Sequence, residues 1–147
     1  MGIRANSGAD RKNIRLVLTD AGLRPTRQRV SLAELLFARG DRHISAEGLH
    51  EEAVTERVPV SLATVYNTLN QFTSAGLLRE VAVVGNTTYF DTNVGDHHHF
   101  YLEDDQVVFD IPGKGVEVGA LPDAPEGMEI VKVDVVVHLR RKVTQVQ

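Results

Sequence analysis

"SLATVYNTLNQFTSAG", Ser61–Gly76, is the stretch whose reading decides the fold. Ser61 has a side-chain oxygen suited to accept from the free amides of a first helical turn. Leu62, Val65, Leu69 and Phe72 then recur at helical intervals as one apolar stripe. Gly76 supplies a stop that tolerates the left-handed conformation. The opposite face carries Thr64, Asn67, Gln71 and Ser74, almost without charge. Solvated helix faces are normally built from Glu and Lys, whereas side chains that both donate and accept suit base edges. The helix is predicted to bury one side and address nucleic acid with the other.

Upstream, Ile14, Val17, Leu18 and Ala21 predict a first helix over Asp10–Ala21, stopped by Gly22. Pro25 and Thr26 open a second, with Thr26 as N-cap, running through Val30, Ala33, Leu36 and Phe37 to end near Gly40. Ser45 caps a third, with Leu49, Ala53 and Val54 facing inward, and Pro59 forces a break. Downstream, Val81 and Val83 alternate, Gly85-Asn86 is a two-residue hairpin signal, and Thr87 and Tyr89 alternate back. These elements together predict a winged helix-turn-helix, its fourth helix in the major groove and its wing along the backbone. A winged-helix module used only for protein contacts is the competing expectation.

The rest of the chain is β-rich. Phe100–Leu102 and Val107–Ile111 flank an EDDQ turn, and the Gly/Pro-rich residues 112–127 read as loop with room for one helical turn. Val131, Val133, Val135, Val137 and Leu139 predict a long last strand, with Lys132, Asp134 and His138 on its other face and Val136 interrupting them. The expected fold is α+β. A winged helix-turn-helix domain spans residues 1–84, its wing continuing to about 91, and a small α/β dimerisation domain spans 92–147. A module of about 60 residues has little capacity for a core of its own. A homodimer is therefore expected, which also suits palindromic operators.

Composition is consistent with one medium domain or two small ones: 147 residues, 42% hydrophobic and 24% charged. No apolar run approaches the ~20 residues that span a bilayer. "MGIRANSGADRKN" lacks the apolar core of a signal peptide, so a cytoplasmic location is expected. The absence of cysteine excludes disulfides and a thiolate zinc site, so any metal must be held by nitrogen and oxygen. The net charge of −4 is uneven: residues 1–29 hold 7 basic and 2 acidic groups, and residues 85–147 hold 5 and 11. A basic end that can approach a polyanion is thus joined to an acidic module.

"GDHHHFYLEDD", Gly95–Asp105, carries three of the six histidines. In extended chain His97 and His99 share a face and His98 takes the other. Asp91, Asp96, Asp110 and Glu117 are carboxylates within reach of such a site. Such a donor set suits Fe(II), Mn(II) or Zn(II), and imidazole is also an ordinary haem ligand. A solvated polar loop is the bland alternative. A ligand at the junction of the two modules would fix the angle between them and so act as a switch.

"AGLRPTRQRV", "RHISAEGLHEEA", "SLATVYNTLNQFTSAGLL" and "DHHHFYLEDDQVVFDI" together resemble the Fur (ferric uptake regulator) superfamily, in family order over nearly the whole chain. The missing cysteines and the triplet are most similar to its iron response regulator (Irr) branch. The resemblance implies a repressor-type, iron- and haem-responsive regulator that binds double-stranded promoter DNA as a dimer or tetramer and controls iron-uptake and haem-biosynthesis genes.

It further implies an inter-domain metal site at His43, Asp91, His97, His99 and Asp110, with both aspartates standing where the family more often has glutamate. A second, weaker site maps to Asp96, His98 and Glu117. There Asp96 replaces a histidine, and the family's final-strand ligand falls near Val133. The structural-zinc cysteine positions hold Leu102 and Asp105. Haem, by the same resemblance, would be ligated within His97, His98 and His99 and would lower DNA affinity reversibly; His43, His50 and His138 are the fallback ligands.

For DNA, the resemblance places Ser61, Ala63, Thr64, Tyr66 and Asn67 at the major groove and Arg24 at the minor groove. Arg27 and Arg29 go to phosphates, with a structural role for Arg29 as the alternative. Asn67 stands where many members have Arg, which favours adenine over guanine. A peroxide- or manganese-sensing member of the family is the near alternative. A metal-dependent hydrolase is the distant one, for which the sequence offers no separate nucleophile or phosphate loop.

Overall fold

A computed structural model describes residues 10–38, 40–81, 87–95, 97–113 and 115–143. The elements are α1 (Asp10–Asp20), α2 (Arg27–Phe37), β1 (His43–Ser45), α3 (Ala46–Thr55), α4 (Leu62–Ser74), β2 (Arg79–Val81), β3 (Tyr89–Asp91), β4 (His99–Leu102), β5 (Val107–Asp110) and β6 (Val136–Leu139). They fall into two compact units, Met1–Gly95 and Asp96–Gln147.

In the first unit, three helices begin with the same device. The side-chain oxygens of Thr26, Ser45 and Ser61 accept from the amides of Arg29, Gly48 and Thr64. Each such cap contributes roughly 1 kcal/mol. α1 and α4 end on glycines in the left-handed region, Gly22 at φ 81° and Gly76 at φ 82°. The amides of Leu23 and Leu77 reach back to the carbonyls of Leu18 and Phe72, closing both ends. α3 closes the same way, Val58 to Ala53, but with Arg57 in the left-handed region at φ 58°.

Ile14 and Leu18 of α1, Leu36 of α2, Leu49 and Ala53 of α3, and Val65, Leu69 and Phe72 of α4 form the core. Burying each of the larger side chains contributes about 1.5–3 kcal/mol before entropy is counted. Two expected inward residues are not inward. Val54 is 62% exposed, because Ala53 takes the interior and the next residue lies about 100° round the helix. Leu62 is 37% exposed at the start of α4, and Thr68 is buried instead, completing a stripe at 65, 68, 69 and 72.

β2 and β3 form the anticipated antiparallel pair, Val81 opposite Tyr89. Val83 and the Gly85-Asn86 turn lie outside the described residues. β1, which periodicity did not predict, joins the other side of β3 to give the order β1-β3-β2. Three residues are too few for alternation to register. Its pairing is locked at the margin, where the Arg42 amide donates to Thr92 Oγ1 (2.8 Å) and the Thr92 amide to the Arg42 carbonyl (3.0 Å). The Arg42 guanidinium meets Glu52 through both nitrogens at 3.0 and 2.6 Å and also donates to the Leu35 carbonyl.

The second unit is a three-stranded sheet in the order β5-β4-β6. β4 and β5 are the expected hairpin, and β6 runs parallel to β4. The long strand expected from Val131 is shorter than predicted: only Val136–Leu139 is strand, and Val131 is 88% exposed. β4 begins at His99, opposite Val136, so the earlier valines have no ladder to join among the described residues. This unit contains no helix among the described residues, a β module rather than the α/β one expected, and the described residues among 112–127 form no helical turn. Val108, Ile111 and His99 are its buried side chains among the described residues, while Val107 and Phe109 of β5 are exposed.

Candidate metal centre and nucleic-acid face

Each unit carries a histidine and an aspartate directly opposite one another on adjacent strands. In the first, β1 places His43 against Asp91 of β3, with His43 Nε2 2.9 Å from Asp91 Oδ2. Asp91 is fully buried, and its other oxygen accepts from the Asn93 amide at 2.9 Å. Both carboxylate oxygens therefore have fixed directions.

In the second unit, β4 places His99 against Asp110 of β5. His97 Nε2 and His99 Nε2 both point at Asp110 Oδ1, at 3.1 and 3.5 Å, and the two rings meet edge to face with centroids 4.5 Å apart. Ligand atoms of His97, His99 and Asp110 all lie within 4.8 Å of one another. His99 is fully buried, and its amide bonds the Val135 carbonyl at 3.1 Å, which pins its direction to the β4–β6 ladder.

Two imidazole nitrogens converging on one carboxylate oxygen, without sulfur, fit a divalent cation of the Mn, Fe or Zn type. A proton or a cation can satisfy the same oxygen, so the two compete. The donors of both pairs are fixed by ladder register, and register makes them precise.

His98 is not part of the His97–His99–Asp110 cluster, and its Nδ1 accepts from the Val135 amide at 3.1 Å. Glu117 is exposed, and Asp96 lies outside the described residues. Among the described residues, no group of three or more metal-type ligands includes His98 or Glu117. His138 pairs with Glu103 at 3.2 Å, and His50 is half-buried in α3.

The residues expected at DNA lie in the first unit. Ser61, Ala63, Tyr66 and Asn67 are exposed along the start of α4, with Thr64 half-buried beside them. Ser61 Oγ caps the helix and also donates to Thr64 Oγ1 at 2.9 Å. Arg24 and Arg27 are exposed. Arg29 has a structural attachment: its Nε and Nη2 donate to Gln71 Oε1 at 3.2 and 2.9 Å, and Nη1 to the Arg24 carbonyl at 2.9 Å. It thus holds α4 and the Arg24 loop in fixed relation.

Sequence reasoning missed Glu47. The Tyr66 hydroxyl donates to Glu47 Oε1 in the first turn of α3. That bond, aided by Glu47's own backbone amide, holds the carboxyl below its ordinary range. Its counterpart is a Tyr66 phenol pushed up, chiefly by the same bond. No local pattern joins residues 19 positions apart, so only the fold reveals the pair.

The ferric uptake regulator family model matches residues 20–138. The chain is 33% identical over 101 residues to the ferric uptake regulation protein of Bordetella parapertussis, covering 68% of this chain and 73% of that protein. It is 37% identical over 92 residues to the protein of the same name from Cupriavidus metallidurans, covering 63% of this chain and 59% of that one. Among solved structures, the Pseudomonas aeruginosa ferric uptake regulator with manganese superposes at TM-score 0.64 and 28% identity, over 88% of this chain and 98% of that one. The Vibrio cholerae regulator superposes at TM-score 0.68 and 24% identity, over 86% and 98%, and shares the fold. Members of the family are transcription regulators, not enzymes, so the hydrolase reading falls. On that match and those relatives, the chain belongs to the ferric uptake regulator (Fur) family.

Proposed function

We propose that this chain is an iron- and haem-responsive regulator of the Irr type, binding promoter DNA as a homodimer to control iron-uptake and haem-biosynthesis genes in the cytoplasm. Residues 1–84 serve as the winged-helix DNA-binding domain and 92–147 as the dimerisation and sensing domain. α4 enters the major groove with Ser61, Ala63, Thr64, Tyr66 and Asn67, and Arg24 and Arg27 approach the sugar-phosphate edge. The small core of the second unit and the exposed Val107 and Phe109 support pairing with a second copy.

The observation that carries this reading is the convergence of His97 and His99 on Asp110, with a second His–Asp pair in the other unit. Only five residues of chain lie between Asp91 and His97. One divalent ion would be held by His43, Asp91, His97, His99 and Asp110, neutralising both carboxylates. Manganese is the ion in the solved Pseudomonas relative. The protein's own part is to orient the donors, through the strand ladders and the Asn93 amide. His98 and Glu117, with Asp96, would serve a weaker second site.

Haem is the finer part of the reading. An axial ligand would come from the triplet, where His99 is fully buried, His98 Nδ1 accepts from the Val135 amide and His97 Nε2 faces Asp110, so haem and a divalent ion would compete for His97. The test is affinity for an iron-uptake promoter fragment with Mn(II), with haem, and with neither. A change with either ligand supports the reading, and absence of DNA binding in all three sinks it. Methionine-independent gain of one oxygen on a ligand histidine, under Fe(II) and peroxide, would favour the peroxide-sensing alternative.

A further inference from the structure

The bond between Tyr66 and Glu47 joins the first turn of α3 to the exposed face of α4, and core packing does not require it. Both residues are exposed, Tyr66 by 37%, and neither belongs to the hydrophobic cluster. Glu47 is held from two sides, by its own backbone amide and by the Tyr66 hydroxyl. The hydroxyl hydrogen is therefore committed to the protein. What remains at the tip of Tyr66 is an oxygen lone pair, beside a carboxylate that can only accept.

We propose that Glu47 is a positioning and specificity-determining residue: it accepts the Tyr66 hydroxyl's hydrogen bond so that the pair presents only acceptors to the DNA. This rests on α4 being the DNA-reading helix. A free tyrosine hydroxyl donates as readily as it accepts and tolerates any base edge. The Glu47–Tyr66 unit instead matches an exocyclic amine, adenine N6 or cytosine N4, and is mismatched to the O6 and N7 acceptors of guanine. Its negative charge also opposes phosphates, so it favours discrimination over sequence-independent affinity.

The experiment uses the full chain with Mn(II). Duplexes are enriched from a randomised pool by the unsubstituted protein, and single-base variants of the enriched site are then competed against each protein. At one base pair, the preference for an amine-presenting base is expected to fall about tenfold in Glu47→Ala and in Tyr66→Phe, the size of one good base contact. The double variant falls no further, Glu47→Asp restores part of the preference, and affinity for unenriched duplex holds or rises. A Glu47→Ala profile identical to that of the unsubstituted protein overturns the proposal. So does an equal loss at every position, which marks a structural or sequence-independent contact and no base discrimination. Failure of the unsubstituted protein to enrich any sequence would remove the DNA-reading role of α4 itself, and the proposal with it.

Discussion

An imidazole and a carboxylate set opposite each other on paired strands are oriented before any ligand arrives, and both His43–Asp91 and His99–Asp110 have this geometry. Removing a metal's supporting groups typically costs 10–100-fold in affinity, so loss of a direct ligand costs at least about tenfold. His99→Ala is accordingly expected to weaken Mn(II) binding by about tenfold or more in calorimetry. His98→Ala should leave this tighter binding step unchanged and weaken only the second, weaker one, since the His98 ring lies at the Val135 amide and outside the Asp110 cluster. On the DNA face, Asn67→Ala should weaken specific binding by about 1–3 kcal/mol, the range of a bidentate base contact, with Mn(II) affinity retained.

The Glu47–Tyr66 pair also has a pH signature with a definite sign. Glu47 is lowered from 4.5, so its contribution is complete above that value and is lost as pH falls through the lower folded pKa. Tyr66 is raised from 10.0, so its contribution is complete below that value and is lost as pH rises through the higher one. In Glu47→Gln, chemical-denaturation stability should lose both limbs of this dependence. Both groups are exposed, so the effect is small and salt-screened.

At the scale of elements, what was legible in the sequence is what is local. Thr26, Ser45 and Ser61 mark the three capped starts within a few residues of the amides they satisfy, and apolar spacing carries α1 to α4. β1 and the Glu47–Tyr66 bond depend on partners far along the chain, and no local pattern contains them. β6 shows the converse: the alternating valines from Val131 have strand character, but a strand exists only where a neighbour pairs with it. The candidate ligands were legible by resemblance and by parity, whereas their aim comes from the ladders. Gly76 closes α4 at φ 82°, and a Cβ there would meet nothing within 4 Å. Gly76→Ala should therefore cost about 1 kcal/mol, from backbone conformation alone, measured by denaturant unfolding. A loss several times larger would mean that this turn does more than end the helix.

For the whole molecule, the proposed reading gives two compact units of unlike charge separate work, a basic-ended helical unit for DNA and a β unit holding three of the five proposed ligands. Phosphate contacts release counterions, so the logarithm of the affinity for any duplex should fall linearly with log salt, while the proposed base readout by Asn67 and Tyr66 changes little. The ligand's effect on DNA affinity is a coupling free energy, typically 5–150-fold. On the proposed reading it requires the histidine pair that converges on Asp110. The most direct measurement is the affinity of an enriched duplex for the unsubstituted chain and for His97→Ala/His99→Ala, each with Mn(II) and with chelator. Affinity in the unsubstituted protein is expected to change at least about fivefold on adding Mn(II), and the double variant should show no change. An equal Mn(II) effect in both proteins, or DNA affinity indifferent to Mn(II) in the unsubstituted chain, would contradict the assignment of these residues as the metal sensor.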